Sequence, residues 1–386
     1  MRKLFSIVFS AVLLLIGSAQ GTWAQKAKVY DLGHYPNGTW AWTNNINNSG
    51  VVVGRGDVPP MGYTHPIGVP LFGPKAGQWF DLGTLGGDRS DSEVSCEGIA
   101  DTGMIVGTAA ITGGESVHAF AWTQKSGMVD LGTLVGNTYS YAAGTNKTGT
   151  LIAGWSGNGF FTEDTVPVVW TPKVVWTSRG PTTTWSIQKL DTEGIGSVSY
   201  WEPMGVNNLG QIVGAAMNSE GFDIALLWNP VPGGKGWKVM QLPASPPEYP
   251  QAWTYRINDN GVIVGAVASP DGNTALPSFW QKKSPSGSIW NLTVLATPSG
   301  SPYSEAGSIN DRGDIVGYTY NTNWYQFATR WSTKEPTVVQ LLDFPGAASA
   351  GAWSIAITVN DNRIAVGPYG NDTIPVNAFA VQFGPE

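Results

Sequence analysis

One pattern of apolar and polar positions recurs along the whole chain. An apolar residue is followed by an Asn-Asp-x-Gly turn and then by an apolar run that closes on glycine. Its fullest copy is Ile46-Asn47-Asn48-Ser49-Gly50-Val51-Val52-Val53-Gly54, and it returns at Ile99–Gly107, Val206–Gly214, Ile257–Gly265 and Ile309–Gly317. Two more copies are irregular: Asn146–Gly154 carries an extra residue, and Val359–Gly367 has Arg363 in place of the turn glycine. The closing glycines, Gly54 to Gly367, recur about every 52 residues, a repeat-architecture spacing. The block has the chemistry of a hairpin. Asn bonds back to its own main chain, and Gly accepts the positive φ of the turn. The run after the turn, such as Val262-Ile263-Val264-Gly265-Ala266-Val267, is apolar at successive positions and therefore predicts a strand covered on both faces. The closing glycine predicts a close approach by a neighbouring sheet.

Two other columns keep step with the hairpin. An aromatic ends a third strand at Phe72, Trp122, Trp170, Trp228, Trp280 and Trp331, a recurrence in register that assigns it to packing. A leucine marks a fourth strand at Leu32, Leu82, Leu131, Leu190, Leu242, Leu292 and Leu341. Four strands in each of seven repeats predict an all-β fold, a seven-bladed β-propeller of four-stranded antiparallel blades. The chain opens on a fourth-strand element, Tyr30-Asp31-Leu32-Gly33, and ends on a third strand, Ala378-Phe379-Ala380-Val381. The N-terminal strand is therefore expected to complete the last blade and close the ring, which also hides an aggregation-prone edge. The Pro-rich stretch 171–184 reads as a long third-to-fourth strand connection, not a domain boundary.

Composition agrees with short strands and tight turns: of 386 residues, 50 are Gly, 26 are Pro, and only 13% are charged. A net charge of −7 argues against nucleic acid or an anionic membrane surface as partner. Residues 1–24 read as a signal peptide, with Arg2 and Lys3 before an apolar segment and with Thr22 and Ala24 at a cleavage site. Residues 25–386 are then a single propeller domain, secreted or periplasmic, with no membrane span after signal removal. Cys96 is the only cysteine, read as a small buried residue of a strand, and three scattered histidines make no metal site. Neither a cofactor nor a metal is expected.

The motifs His118-Ala119-Phe120-Ala121-Trp122 and Asp81-Leu82-Gly83-Thr84-Leu85-Gly86-Gly87 resemble those of the HAF-repeat family of predicted extracellular repeat proteins, with weaker echoes at Asn377-Ala378-Phe379 and Asp130-Leu131-Gly132-Thr133-Leu134. The resemblance implies an exported bacterial repeat protein and carries over no catalytic or ligand residues.

Candidate function falls on the face built by the inter-blade and second-to-third strand loops. Just ahead of the hairpin blocks stand Trp42, Tyr141, Trp201, Trp253, Tyr303 and Trp353, joined by Trp155, Phe160 and Phe161 in the third repeat and by Tyr318, Tyr320, Trp324 and Tyr325 in the sixth. Displayed rings of this kind suit sugars or a protein partner. The expectation is a non-enzymatic binding propeller that contacts carbohydrate or another extracellular macromolecule, with those first six aromatics as its ligand-binding set and no catalytic residues. Two alternatives stay open: a structural or adhesion module with protein partners, and a propeller glycoside hydrolase or lyase that uses loop carboxylates. The carboxylates on that face are Asp88, Asp91, Glu93, Glu163, Asp164, Glu202, Glu248 and Glu305.

Overall fold

The structure is a computed structural model. It describes residues 27–384 except 61–62, 88–91, 114–115, 160–161, 163, 178–179, 235, 244–246, 285–286, 350 and 372–374. The expected signal peptide, and with it Asp88, Asp91, Phe160, Phe161 and Glu163, lies outside the described residues. Strands and turns make up the described chain, with no helix among the described residues and none long and apolar enough to cross a membrane.

Four repeats form separate four-stranded antiparallel sheets, each with its strands in chain order; the unit from Val198–Val206 to Trp237–Gln241 is one. Two departures from the expected pattern occur. The second and third repeats are joined into one eight-stranded sheet, because the strands Glu93–Ile99 and Tyr139–Thr145 meet in parallel at Glu97 and Gly144. A Cβ on Gly144 would stand 2.8 Å from that of Glu97, so only glycine permits the contact. The last sheet has five strands, because its first strand is split into Trp353–Ser354 and Thr358–Val359. At its far side the N-terminal strand Lys28–Gly33 pairs antiparallel with Asn377–Gln382.

The closing glycines serve a nearer neighbour than expected. A Cβ on Gly265 would lie 2.0 Å from the Trp253 carbonyl oxygen, and one on Gly317 would lie 1.9 Å from that of Glu305. The close approach comes from a bulge in the first strand of the same sheet, where register shifts between Thr254 and Arg256 and between Ala306 and Ser308. Arg363, which replaces a turn glycine, takes φ 58°. This left-handed backbone costs a non-glycine residue about 1–2 kcal/mol, and the Arg363 side chain answers it with an ion pair to Asp314 at 3.1 Å.

Apolar cores sit between successive repeats. Val213, Leu227 and Leu242 of the fourth pack on Ile257, Ile263 and Trp280 of the fifth. Trp170, Trp228, Trp280 and Trp331 are fully buried, and each indole N–H donates to a carbonyl beside the preceding repeat's fourth strand: Leu131, Asp191, Pro243 and Ala296, at 2.6–3.0 Å. Each tryptophan thus ties two repeats with a large buried surface and one satisfied polar handle. Phe72 does not belong to this column. It is 46% exposed, and the position equivalent to the tryptophans is Val69, which is fully buried opposite Val52. The leucine column also needs correction in two repeats. The residue that donates its N–H back to the third strand is Leu295, not Leu292, and Leu342, not the exposed Leu341.

The turn asparagines do more than shape their own hairpins. Asn258 Oδ1 accepts the Val262 N–H at 2.9 Å while its Nδ2 donates to the carbonyl of Asn310 in the next turn at 3.0 Å. Asn310 donates likewise to Asn360, and Asn360 to Asn47, at 3.0 and 2.9 Å. The neighbouring position carries a second chain of bonds from Asn208 to Asp259, Asp259 to Asp311 and Asp311 to Asp361, and from Asp361 back to Asn48. Asn48 then reaches Asp101, whose N–H donates to Lys147, and Thr148 donates to Asn208. This circuit runs through all seven turns and returns to its start.

Candidate active site

The six aromatics proposed as a ligand set are not loop residues. Trp42, Tyr141, Trp201, Trp253 and Trp353 lie on the first strands of their repeats, and Tyr303 lies immediately before one, in an isolated bridge to Ala275. None of the six is exposed. Trp201 is buried and tilts on Trp228. Trp42 faces Trp353 with ring centres 6.3 Å apart, and Tyr141 stacks on Trp155 at 4.3 Å while its hydroxyl donates to Glu93. An open aromatic display is therefore not what these positions form. A strand next to its neighbours covers a ring that a loop would have shown to solvent.

Trp253 and Tyr303 do line a cavity of about 290 Å³, together with Glu202, Asp223, Tyr255 and Glu305. Three successive repeats supply it. Glu202 comes from the strand Val198–Val206, Asp223 begins Asp223–Pro230, Trp253 and Tyr255 alternate along Gln251–Ile257, and Glu305 stands in Ser304–Ile309. The volume is at the lower edge of the roughly 300–1,000 Å³ usual for small-ligand sites. Burial, reinforced by the charge of Asp223, pushes the Glu202 carboxyl up to about 7. Among the described residues no hydrogen bond or ion pair reaches Glu202. Burial also raises Asp223, against one hydrogen bond of 2.8 Å from the Tyr200 hydroxyl.

Glu305 is held differently. Tyr255 and Tyr303 donate to its two oxygens at 2.7 and 2.6 Å, and Tyr318 donates as well. Burial still raises its carboxyl above the ordinary range despite the three phenols. The Trp253 indole N–H is buried without a hydrogen-bond partner among the described residues. Among the described residues no Lys or Arg lines this cavity. A group titrating near 7 beside a second carboxyl can give and take protons at neutral pH, the requirement for general acid–base chemistry.

Sequence reading had named Glu202 and Glu305 as loop carboxylates; both are strand residues. It missed Asp223, Tyr200 and Tyr255. The alternation of Trp253 and Tyr255 along one strand could have paired those two, whereas nothing local marks Asp223. Of the remaining carboxylates, Glu93 is bound to Arg55 and Tyr141, while Asp164 and Glu248 are exposed.

Two other openings are built differently. In the central channel burial likewise pushes the Glu97 carboxyl up to about 7, but Arg256 is paired with it. The pocket in the central channel is narrow, with a volume of about 60 Å³. Arg256 crosses it to the buried Glu97 and also donates to the Cys96 carbonyl at 2.7 Å. Cys96 itself is exposed rather than packed in a core, which corrects the sequence reading. A wider groove of about 630 Å³ beside Leu209, Lys282 and Trp290 contains no carboxylate. No group of three or more metal-ligating side chains occurs among the described residues.

Neither a protein-family model nor a curated protein matches the chain. Solved structures do. A prolyl endopeptidase structure is similar to 92% of this chain and 49% of its own, with a TM-score of 0.57 and 9% identity. An oligogalacturonate lyase in complex with manganese is similar over 93% of this chain and 91% of its own, with a TM-score of 0.50 and 9% identity. A puromycin hydrolase structure is similar over 86% and 50%, with a TM-score of 0.44 and 14% identity. The chain thus spans about half the length of the peptidase and puromycin hydrolase chains. The likeness shows the fold, a β-propeller. The expectation of a non-enzymatic binding propeller is corrected: its aromatic set is half-buried to buried on strands rather than displayed on loops, and the two structures matched at a TM-score of 0.50 or more, the prolyl endopeptidase and the oligogalacturonate lyase, are enzymes.

Proposed function

We propose that this chain is a propeller enzyme that cleaves glycosidic bonds, with its acid–base centre in the cavity of Glu202, Asp223 and Glu305. The observation that carries the proposal is a carboxyl titrating at about 7, free of partners, in a ligand-sized cavity with two further carboxyls. Glu202 in its protonated form is the acid for the leaving oxygen. Glu305, oriented by three phenol hydroxyls, is the carboxylate that stabilises or attacks the positively charged sugar, and Asp223 sustains the proton on Glu202 by its charge. Hydrolysis of a neutral glycan is favoured over elimination from a uronic acid. A uronate carboxylate would enter a cavity lined by three carboxyls and no cation, where like charges repel.

The frame belongs to this reading too: a ring of seven blades, the last completed by the N-terminal strand, and export directed by residues 1–24. The hydrogen-bond circuit through seven turns and the pairing of Lys28–Gly33 with Asn377–Gln382 support the ring. The test is release of reducing ends from neutral and uronate polysaccharides, with and without divalent cations, by wild type and Glu202→Gln. Turnover of a neutral glycan that the variant loses supports the proposal. No turnover on any substrate, or turnover untouched by the variant, overturns it.

A further inference from the structure

A line of aromatic rings leads out of the cavity to the surface. Tyr303, bonded to Glu305, meets Tyr320 edge-on at 5.7 Å, and Tyr320 meets Trp324 at 5.4 Å. Tyr318, the third phenol on Glu305, also packs on Tyr320 at 5.8 Å. Trp324 is 58% exposed, against the fully buried tryptophans between the repeats. It occupies the turn between Asp314–Tyr320 and Gln326–Ser332, in the left-handed region at φ 62°. A bulky side chain there is a backbone outlier, kept only where the surroundings hold it. The Asn321 side chain does so by accepting the Asn323 and Tyr325 N–H groups at 2.9 and 3.0 Å, and the Trp324 N–H bonds the Asn321 carbonyl at 3.0 Å.

Apart from its edge contact with Tyr320, a mostly exposed indole gives this strained turn little packing, and glycine or asparagine would make the same turn with less strain. We propose that Trp324 is a stacking platform for a sugar unit of the same neutral glycan whose scissile bond lies at Glu202 and Glu305, so that the enzyme acts on a chain extending beyond the cavity. An indole face matches the apolar face of a pyranose ring, and the ring sequence Tyr303, Tyr320, Trp324 gives a continuous surface between cleavage point and rim. This rests on the glycosidase reading for its substrate class.

Two measurements separate the two claims. In Glu202→Gln, which retains ligand without turning it over, indole fluorescence is titrated with soluble β-glucan, xylan and galactomannan. A response that disappears on adding Trp324→Phe is expected, and no Trp324-dependent response to any of them overturns the platform. In the active enzyme, Trp324→Ala is expected to raise KM for the polymer about tenfold, the scale of one lost aromatic contact, while kcat and turnover of a short aryl glycoside stay unchanged. An unchanged polymer KM, or an equal loss on both substrates, overturns it as well. Turnover that survives Glu202→Gln overturns the catalytic reading alone, because the fluorescence arm still reads the platform.

Discussion

The two ends of the ring put the same residue types to opposite uses. At the turn end, Asp311 and Asp361 share the Lys147 ammonium at 2.5 and 2.7 Å, in the place where other turns carry Asn or Asp. Burial acts to raise the Asp361 carboxyl, but Lys147, the Asp311 N–H and the Asn48 amide hold it below its ordinary range. Lys147 is correspondingly raised by its two partners against the effect of burial. At the opposite end, Glu305 is buried and Glu202 and Asp223 are half-buried, with no cation lining their cavity among the described residues, and all three are raised. Between these two clusters, the carboxylate that shares a cation is held low, and those without a cation are raised even where phenols donate to them. The difference lies in what the neighbouring repeats supply.

The largest effect that would break this contrast is on rate. Glu202→Gln is expected to lower kcat on a neutral glycan by about 10²–10⁴, with a melting temperature unchanged or raised, since it removes an uncompensated buried acid. A normal rate in the variant would make the cavity another structural cluster. Asn258→Ala should do the reverse. It leaves the Val262 N–H and the Asn310 carbonyl without their partner at two buried positions, at a cost of about 3 kcal/mol in denaturant unfolding, with kcat unaltered. Lys147→Met strands two carboxylates, but these side chains are a quarter to a third exposed. The expected loss is about 2 kcal/mol, between the costs of breaking a surface pair and a buried one.

The smallest effect is the pH dependence, which sharpens the contrast by its sign. Glu202 is raised from 4.5 to about 7, so its contribution to stability is fully present below pH 4.5 and is lost as pH rises to about 7. The Asp361 contribution runs the other way: it is present above 3.8 and lost as pH falls below it. Thermal melts across pH 3–8 should show both trends; Glu202→Gln should reduce the former, to which Glu97, raised to about 7 by burial, also contributes, and leave the latter unchanged. A flat wild-type profile from pH 4.5 to 7 would count against a raised Glu202.

The recurring hairpin and the all-β class were legible because they are written in local chemistry. Asn and Gly at a turn, and apolar residues in a run, answer to their immediate neighbours. Register was less legible where two candidates stood close together: Leu292 and Leu341 were chosen over Leu295 and Leu342 because a short strand tolerates either in sequence. The aromatic set was misread for a similar reason. Trp201 or Trp353 ahead of a hairpin block looks like loop until strand pairing covers it. Glu202 and Glu305 were in view as two of eight carboxylates, but nothing in the sequence separates them from Asp164 or Glu248. Burial does, and burial is a property of the assembled repeats.

An all-β repeat fold, its hairpin turns and the displaced first strand follow from local residue chemistry, since turn chemistry and strand periodicity act within a few residues. That Lys147 meets Asp311 and Asp361, and that Glu202, Asp223 and Glu305 share one cavity, follows only from how distant repeats assemble. Those partners are separated by up to 214 positions, as Lys147 and Asp361 are. Their protonation is set by burial and by the charges that other repeats bring near, which no local stretch of chain encodes.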